Sequence, residues 1–339
     1  MEKENLSSIV MKIAVISIAL GVSIMLISIA IVVGFKNQIK EKVVGFVSPI
    51  QIQALNQNES IEETPFVYDS TLKSKLSVSF IEGVYPTANK AGLIKTDAEI
   101  HGIILKGVDK DYNWSYIISN LTSGEIPQYI ENKRSNDVVI SKIIADKLLL
   151  NVGDDVRIWF VGDDMKTRGR KFTVKGIYET GLTECDERFI YCDLNQIRRL
   201  NGWENDYVGH LEIELKDNIN AEDANNYIYY NIPTYLTSYT AREMYPHIFD
   251  WLDLQDMNVV IIIALMLLVA GITIISMLLI IVLERTSTIG VLKALGANNR
   301  FIRKVFLQHS RRVLLIGMLF GNIFGIGICM IQKYSEVIK

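Results

Sequence analysis

The residue types that most often carry enzyme chemistry are present in this chain, but they are scattered along it. The four histidines are His101, His210, His247 and His309. No G-x-S-x-G, H-E-x-x-H or G-x-x-x-x-G-K-[ST] motif occurs in the 339 residues. The acidic pairs Asp154-Asp155 and Asp163-Asp164 lie in turn-like contexts, where solvated turns are a simpler interpretation than acid–base catalysis. We therefore expect this chain to be no enzyme, and to bind no metal, no cofactor and no nucleic acid.

The three cysteines leave one question open. Cys329 lies in an apolar stretch and is expected to pack as a small hydrophobic residue. Cys185 and Cys192 are seven residues apart around a predicted strand, so a disulfide would require the strand to fold back. Both the bridged and the free form remain open.

Three apolar stretches are long enough to cross a membrane. They are residues 10–34, 258–283 and 313–332, in a chain that is 49% hydrophobic with a mean hydropathy of +0.22. A helix needs roughly 20 such residues to cross a bilayer. A cleaved signal peptide is the alternative for the first stretch, but that stretch continues to Gly34 without an A-x-A-like site.

The charges predict how these spans are oriented. Residues 36–256 contain 24 Lys and Arg against 34 Asp and Glu, whereas residues 284–312 contain 7 basic residues and a single acidic one. Short basic loops remain in the cytoplasm. Residues 1–9 and the loop 284–312 are therefore expected inside, and residues 35–257 and the tail 333–339 outside.

Residues 35–257 have the pattern of a large α/β domain. Segments of alternating hydrophobicity predict strands at 43–55, 91–96 and 99–108, the last two paired around Asp97. Ser141 is the predicted N-terminal cap of a short helix, and another short helix is predicted to follow Asp193. A second block suggests an inner subdomain at about 122–205. The predicted fold class is an α-helical membrane protein with three spans and a large α/β extracytoplasmic domain of two subdomains.

The most informative segment follows the second span. It reads E-R-T-S-T-I-G-V-L-K-A-L-G-A-N-N-R over residues 284–300. Its apolar residues recur at three- and four-residue spacing, which predicts two short amphipathic helices broken at Gly296-Ala297. By itself the pattern fits either a helix on anionic headgroups or a docking element for a cytosolic partner.

This motif resembles the signature after the second span of FtsX/MacB-type ABC transporter permeases. The order of span, large extracytoplasmic domain, span, motif and span also resembles that family. Within it, the chain is most similar to the lipoprotein-releasing LolC/LolE group. That likeness rests on L-K-G-V-D at 105–109, V-G-D at 152–154, F-T-V-K-G-I at 172–177, G-L-T-E-C-D at 181–186 and D-L-N-Q at 193–196.

The resemblance implies a permease subunit of the bacterial inner membrane that works with a separate cytosolic ATPase dimer, which uses ATP and Mg²⁺. It also implies a second permease subunit, either a copy of this chain or a homologue. ATP hydrolysis would move the spans and the extracytoplasmic domain, and thereby release lipoproteins to a periplasmic carrier. The residues implied in coupling to the ATPase are Glu284, Arg285, Ile289, Gly290, Leu292, Lys293, Ala294, Leu295, Gly296 and Ala297.

Two further sets of residues are candidates. By the same resemblance, the polar loop 162–170 corresponds to the place where one of two paired permeases recruits the carrier, and its candidate contacts are Asp163, Asp164, Lys166, Arg168 and Arg170. Gly317, Gly321 and Gly325 recur every four residues in the third span, and we interpret them as a helix-packing face that favours a dimer. The family has four spans, so we expect this sequence to lack the last one, because nothing after Gln332 can supply it.

Other functions remain to be weighed. A MacB-like efflux pump or an FtsX-like regulator would share the coupling motif. MacB-like chains carry a fused ATPase, for which a phosphate loop is missing here, and FtsX-like extracytoplasmic domains are smaller. A sensory receptor should continue into a cytosolic signalling domain instead of a third span. An intramembrane enzyme would need paired polar groups within the spans.

Overall fold

The computed structural model describes residues 2–56, 62–95, 100–130, 133–161 and 167–335. It divides into two compact units. One contains Met1–Gln38 together with His247–Lys339, and we call it the helical unit. The other contains Ile39–Pro246, and we call it the sheet unit.

The described residues form helices and strands with the following bounds. The helices are α1 (Glu2–Val47), α2 (Ser70–Lys75), α3 (Ser115–Ser119), α4 (Lys142–Leu148), α5 (Thr183–Asp186), α6 (Leu194–Asn201), α7 (Ala221–Asn231), α8 (Ala241–Met244), α9 (Pro246–Glu284), α10 (Thr286–Ala294) and α11 (Asn299–Ser335). The strands are β1 (Ile50–Ala54), β2 (Phe66–Val67), β3 (Ile81–Lys95), β4 (Ile100–Val108), β5 (Leu121–Gly124), β6 (Asp137–Ser141), β7 (Asp155–Val161), β8 (Thr167–Tyr178), β9 (Phe189–Asp193), β10 (Tyr207–Val208), β11 (His210–Leu215) and β12 (Leu236–Thr240).

Three helices in the described part of the chain are long and apolar enough to cross a membrane. The segments are Met11–Val47, Pro246–Ile280 and Asn299–Gln332, with mean hydropathies of 2.8, 3.0 and 2.3 in their most apolar stretches. They overlap the three predicted spans, which lie within α1, α9 and α11 and are thereby confirmed as helices of sufficient length and composition.

These helices extend well beyond the predicted apolar stretches. Helix α1 continues through charged residues to Val47, so the strand predicted to begin at residue 43 is wrong there and starts at Ile50. Lys36 in α1 pairs with Asp253 and Asp256 in α9 at Nζ–O distances of 3.1 and 2.7 Å, so charge in this stretch does not interrupt the helices. The second amphipathic helix predicted after Gly296 continues into the third span as α11, because no proline or glycine separates them.

The sheet unit is built on a ten-stranded mixed sheet. Its strand order is β12-β1-β11-β3-β4-β9-β6-β8-β5, and β7 pairs with β3 and β8. The predicted pair around Asp97 is confirmed as β3 and β4, which are antiparallel from Thr87↔Val108 to Lys95↔Ile100, although Asp97 itself lies outside the described residues. Strands β5 to β9, in the region predicted as an inner subdomain, belong to the same sheet, and one hydrophobic core runs from Ile50 to Leu236.

Local sequence signals fixed several short elements of this unit. The Ser141 hydroxyl accepts a hydrogen bond from the Ile144 amide at 3.1 Å, and the Asp193 carboxylate accepts one from the Asn195 amide at 2.9 Å. The predicted cap at Ser141 and the predicted helix start after Asp193 are thereby confirmed. Helix α7 and strand β12 were not anticipated, because their segments carry no comparably clear period.

Cys185 and Cys192 are buried free thiols, so the disulfide left open by the sequence does not form. Burial raises the pKa of the Cys185 thiol to about 12 and that of the Cys192 thiol well above its usual range. Both thiols are therefore protonated packing residues at neutral pH.

Candidate coupling segment

The coupling segment begins where α9 ends. Arg285 separates α9 from α10, its carbonyl accepts a hydrogen bond from the Ile289 amide at 3.0 Å, and its side chain is exposed. The Thr286 hydroxyl donates back to the Leu283 carbonyl at 2.6 Å, which satisfies one of the free carbonyls at the end of α9. The predicted role of the Glu284 side chain lies outside what the structure describes.

The end of α10 explains the glycine in the L-G-A part of the motif. Gly296 has φ of +89°, which only glycine adopts without strain. Its amide donates to the Lys293 carbonyl at 3.0 Å, and the Ala297 amide donates to the Leu292 carbonyl at 2.9 Å. This pair of bonds is the Schellman arrangement that closes a helix C-terminus. The predicted break at Gly296-Ala297 is therefore confirmed, and its cause is backbone geometry.

One side of α10 is turned toward its own unit. Ile289, Leu292 and Ala297 are half-buried, and Ile302 in α11 is buried. Ile289 and Ile302 line a groove of about 410 Å³ together with residues of α9. These members of the predicted coupling set therefore hold α10 in place.

The opposite side of α10 forms an apolar surface of small and aliphatic residues. We call it the coupling face, and it consists of Gly290, Val291, Ala294, Leu295 and Gly296. Val291 and Leu295 are 58% and 79% exposed, and a Cβ at either glycine would meet nothing within 4 Å. Val291 was missing from the predicted coupling residues. Its position four residues before Leu295, which places both on one helix face, was the available signal.

The glycines of the third span pack within the chain. A Cβ at Gly317 would lie 2.8 Å from Ile18, one at Gly321 2.7 Å from Val22, and one at Gly325 3.0 Å from Leu26. The Ser23 hydroxyl also donates to the Gly321 carbonyl at 2.9 Å. This face of α11 is therefore occupied by α1. The predicted use of the glycines as support for a dimer is corrected, because the contact they permit lies within one chain.

The candidate carrier contacts are only partly described. Asp163, Asp164 and Lys166 lie outside the described residues. Arg168 and Arg170 belong to strand β8, where they pair with Phe160 and Ile158 of β7, so their placement in a loop was wrong. The regular β7–β8 ladder extends to Thr167, which is why the connection is shorter than predicted.

A buried ion cluster surrounds the C-terminal end of α1, within the sheet unit. Lys106 in β4 is 2% exposed, and its ammonium donates to the Phe46 carbonyl at 3.0 Å and pairs with Glu212 at 2.6 Å. The Gln51 side chain donates to the Val47 carbonyl at 2.8 Å. A cation at a helix C-terminus satisfies its free carbonyls and complements the helix dipole. The cluster therefore fastens the end of α1 to the sheet.

His210 and Glu63 extend this cluster. His210 lies 2.7 Å from Glu63 and 3.5 Å from Glu212. Burial opposes protonation of His210, but Glu63 and Glu212 outweigh it and raise its pKa to about 9. Burial likewise opposes ionisation of Glu212, yet Lys106 and His210 hold its pKa at about 2. His210 and Glu212 are therefore both charged at neutral pH.

Little in the amino-acid sequence indicated this cluster. Residues 211–215 alternate, a pattern typical of a strand with one buried face, but Glu212 is buried on the other face as well. The second face is buried because the end of α1 covers it, and Lys106 contacts both the Phe46 carbonyl and Glu212 there. In the described part of the chain, no group of three or more His, Cys, Asp or Glu is arranged to hold a metal ion.

Comparison with known protein families accounts for both units. A model of the MacB-like periplasmic core domain matches residues 12–228, and a model of the FtsX-like permease C-terminal region matches residues 260–336. The first match alone covers more than half of the chain. The chain belongs to the MacB/FtsX-type permease family.

Among permeases, the lipoprotein-releasing group supplies several similar proteins. The chain is 22% identical over 332 residues to the lipoprotein-releasing system transmembrane protein LolE of Haemophilus influenzae, a match that covers 96% of this chain and 78% of LolE. It is 22% identical over 351 residues to LolC of Buchnera aphidicola, covering 97% and 80%. The resemblance seen in the motifs is therefore confirmed, and the chain is an ABC transporter permease close to LolC and LolE.

One solved structure that is similar to this chain is the periplasmic region of MacB from Actinobacillus actinomycetemcomitans. The sequence identity is 13% and the TM-score is 0.41, and the match covers 61% of this permease and 95% of that region.

The FtsX-like match begins within α9 and contains α10 and the coupling face. The predicted coupling residues of this permease thus lie within the region that matches the FtsX-like model.

Proposed function

We propose that this permease converts ATP hydrolysis by a separate cytosolic ATPase dimer into movement of its periplasmic domain, and thereby releases lipid-anchored proteins from the bacterial inner membrane. A second permease subunit completes the assembly, and a periplasmic carrier accepts the cargo. ATP and Mg²⁺ are bound by the ATPase. The cargo is inferred from LolE and LolC, which are named as parts of lipoprotein-releasing systems.

The observation that carries the coupling role is the exposed face of α10. Leu295 and Val291 project apolar surface from a helix that is held from behind by Ile289 and Leu292. Exposed aliphatic residues on a rigid short helix favour docking in a groove of a partner, since burial of each side chain is worth roughly 1.5–3 kcal/mol. The small residues between them allow close approach of the partner.

Connectivity supports a mechanical route from the membrane to the periplasm. Strand β1 starts three residues after α1 ends, and β12 leads through the short α8 into α9. The two strands pair from Ile50↔Thr240 to Ala54↔Leu236. Displacement of α1 or α9 would therefore act on adjacent strands of one sheet. The cluster of Lys106 and Glu212 holds the end of α1 close to the start of β1.

The coupling role is tested by co-purification of the ATPase with the full permease. Leu295→Asp and Val291→Asp should each abolish or strongly reduce association, because they place a charge in an apolar contact. Leu295→Met should retain it. Asn298→Asp is the matched control: it adds the same charge at the exposed cap of α11, where aspartate is equally suitable. Unchanged association in the Leu295→Asp and Val291→Asp variants would remove α10 as the docking element.

The cargo is tested separately in cells depleted of this permease. Lipid-anchored proteins should accumulate in the inner membrane, and re-expression of the intact chain should restore their release. Normal lipoprotein localisation, with loss of efflux of a small molecule, would instead favour a MacB-like pump. Restoration by Asn298→Asp but not by Leu295→Asp would link release to the coupling face.

A further inference from the structure

A groove between α1 and α11 lies apart from the coupling face. Its volume is about 450 Å³, and its lining includes Lys12, Val15 and Ile16 from α1 with Arg312 and Ile316 from α11. Val313 also lines the groove, and it belongs to a small buried cluster with Ala14 and Ile18. The groove therefore combines a packed apolar base with two cations.

The glycine contacts place the two cations at the same height. Gly317 packs on Val15 and Ile18, Gly321 on Ala19 and Val22, so the helices run parallel and advance in step. Arg312 precedes Gly317 by five residues, and residues 10–13, which include Lys12, precede residues 15–18 by the same number. Lys12 and Arg312 therefore lie at a similar height on the two helices that line the groove.

The apolar lining lies on the membrane side of both cations. Ile16 follows Lys12 by four residues and Ile316 follows Arg312 by four, which places each isoleucine about 6 Å further along its helix at 1.5 Å per residue. Both helices run outward from the cytoplasmic side in the orientation predicted by the basic loop. The groove thus presents charge at the cytoplasmic interface and apolar surface towards the bilayer core.

Neither cation is neutralised by the protein as far as its side chains are described. Lys12 and Arg312 are exposed, and neither forms an ion pair with a described residue. Two cations at the same end of an apolar groove complement a molecule with one anionic head and a long hydrocarbon chain. Basic pockets between spans on the cytoplasmic side bind anionic lipid headgroups for this reason.

We propose that this groove is a binding site for an anionic phospholipid of the cytoplasmic leaflet. Its phosphate lies between Lys12 and Arg312, and one acyl chain follows Val15, Ile16 and Ile316. The site is distinct from the release of cargo on the periplasmic side. It depends on the orientation of the spans and stands whether or not lipoproteins are the cargo.

The test titrates the full chain, purified in mild detergent, with phosphatidylglycerol or phosphatidylcholine and counts bound lipids by native mass spectrometry. Phosphatidylglycerol should bind in preference. The double variant Lys12→Gln/Arg312→Gln should weaken phosphatidylglycerol binding by about 10-fold or more, because each cation near an anionic headgroup adds to the free energy of binding. Binding of phosphatidylcholine should be unchanged.

The matched control is Arg300→Gln/Arg311→Gln, which removes the same charge from exposed positions of α11 outside the groove. It should leave phosphatidylglycerol binding at the wild-type level. Equal weakening in both double variants would overturn the site in favour of diffuse surface charge. Equal binding of both lipids, or displacement of phosphatidylglycerol by inorganic phosphate, would also overturn it.

A polypeptide occupant is tested in native membranes with a photo-crosslinking residue in place of Ile16. Cross-links to lipid are expected. A dominant cross-link to another protein chain would overturn the lipid site and assign the groove to a subunit contact.

Discussion

At the scale of single residues, the most consequential side chains are those that sequence reasoning did not select. Lys106 is enclosed by the rings of Phe46, Tyr112 and Tyr191, with its ammonium 5.3–5.5 Å from their centroids. Its ion pair with Glu212 is almost fully buried. A buried pair contributes little net stability, but loss of one partner leaves an uncompensated charge. The pair is therefore sensitive to single substitutions.

We predict that Lys106→Met destabilises the sheet unit by about 3–5 kcal/mol, because Glu212 loses its buried countercharge. The change is measured as the midpoint of denaturant unfolding of the sheet unit within the full chain. Lys106→Met/Glu212→Leu should be less destabilised than Lys106→Met alone. Lys175→Met, which removes a cation from an exposed pair with Glu125, should leave the midpoint unchanged. A similar midpoint for Lys106→Met and Lys175→Met would contradict the role of the cluster.

His210 gives this cluster a defined dependence on pH. Its pKa is raised from 6.5 to about 9, so its contribution to stability is fully present below pH 6.5 and is lost as the pH rises through about 9. We predict that the stability of the wild-type chain falls over this window, and that His210→Gln is less stable at pH 6 but shows a flatter profile. Thermal unfolding midpoints at half-unit pH intervals measure this. A parallel decline in both proteins would assign the alkaline loss to other groups.

At the scale of elements, the coupling segment depends on how α10 is terminated. The left-handed Gly296 and the two amides that follow α10 close the helix and set the direction of α11. The adjacent Gly290 has helical geometry and open space around it. Gly296 is therefore required by its backbone conformation, whereas the backbone of Gly290 would accept a side chain.

We predict opposite effects of alanine at these two glycines. Gly296→Ala should weaken the end of α10 by roughly 1–2 kcal/mol, since a side chain disfavours positive φ. Gly290→Ala should stabilise the helix by about 1 kcal/mol, since alanine is the better helix former. Hydrogen exchange of the α10 amides in the full chain should be faster in the first variant and slower in the second. Faster exchange in both would indicate that Gly290 is also required by packing.

At the scale of the whole molecule, charge and hydropathy determine the topology. The basic loop that contains α10 and the acidic region that contains the sheet unit are predicted on opposite sides of the membrane. The family match to a periplasmic core domain over residues 12–228 agrees with this assignment of the sheet unit.

We predict that a membrane-impermeant maleimide labels Tyr230→Cys in intact spheroplasts, because Tyr230 is 82% exposed in the sheet unit. Asn298→Cys should be labelled only after the membrane is permeabilised. Cys329 is replaced by alanine in both variants, while Cys185 and Cys192 are buried and should not react in the folded chain. Labelling of Asn298→Cys in intact spheroplasts would reverse the predicted orientation.

The sequence by itself determined the features that depend on local composition. Three apolar stretches of sufficient length required spans, the distribution of Lys and Arg predicted their orientation, and Ser141 and Asp193 marked helix starts. The motif at 284–297 identified the family, because the motif is short and contiguous. Gly296 was correctly expected to break the helix, since its effect acts through its own backbone.

Only the tertiary structure decided which side chains meet. Lys106, Glu212 and His210 are far from Phe46 in sequence, and a charged residue in an alternating strand is ordinarily expected to face water. The face of Gly317 is covered and that of Val291 is open, because coverage of a helix face depends on whether a neighbouring helix packs against it. Residues distant in the chain are brought together by the sheet order and by the parallel register of α1 and α11, which no local pattern encodes.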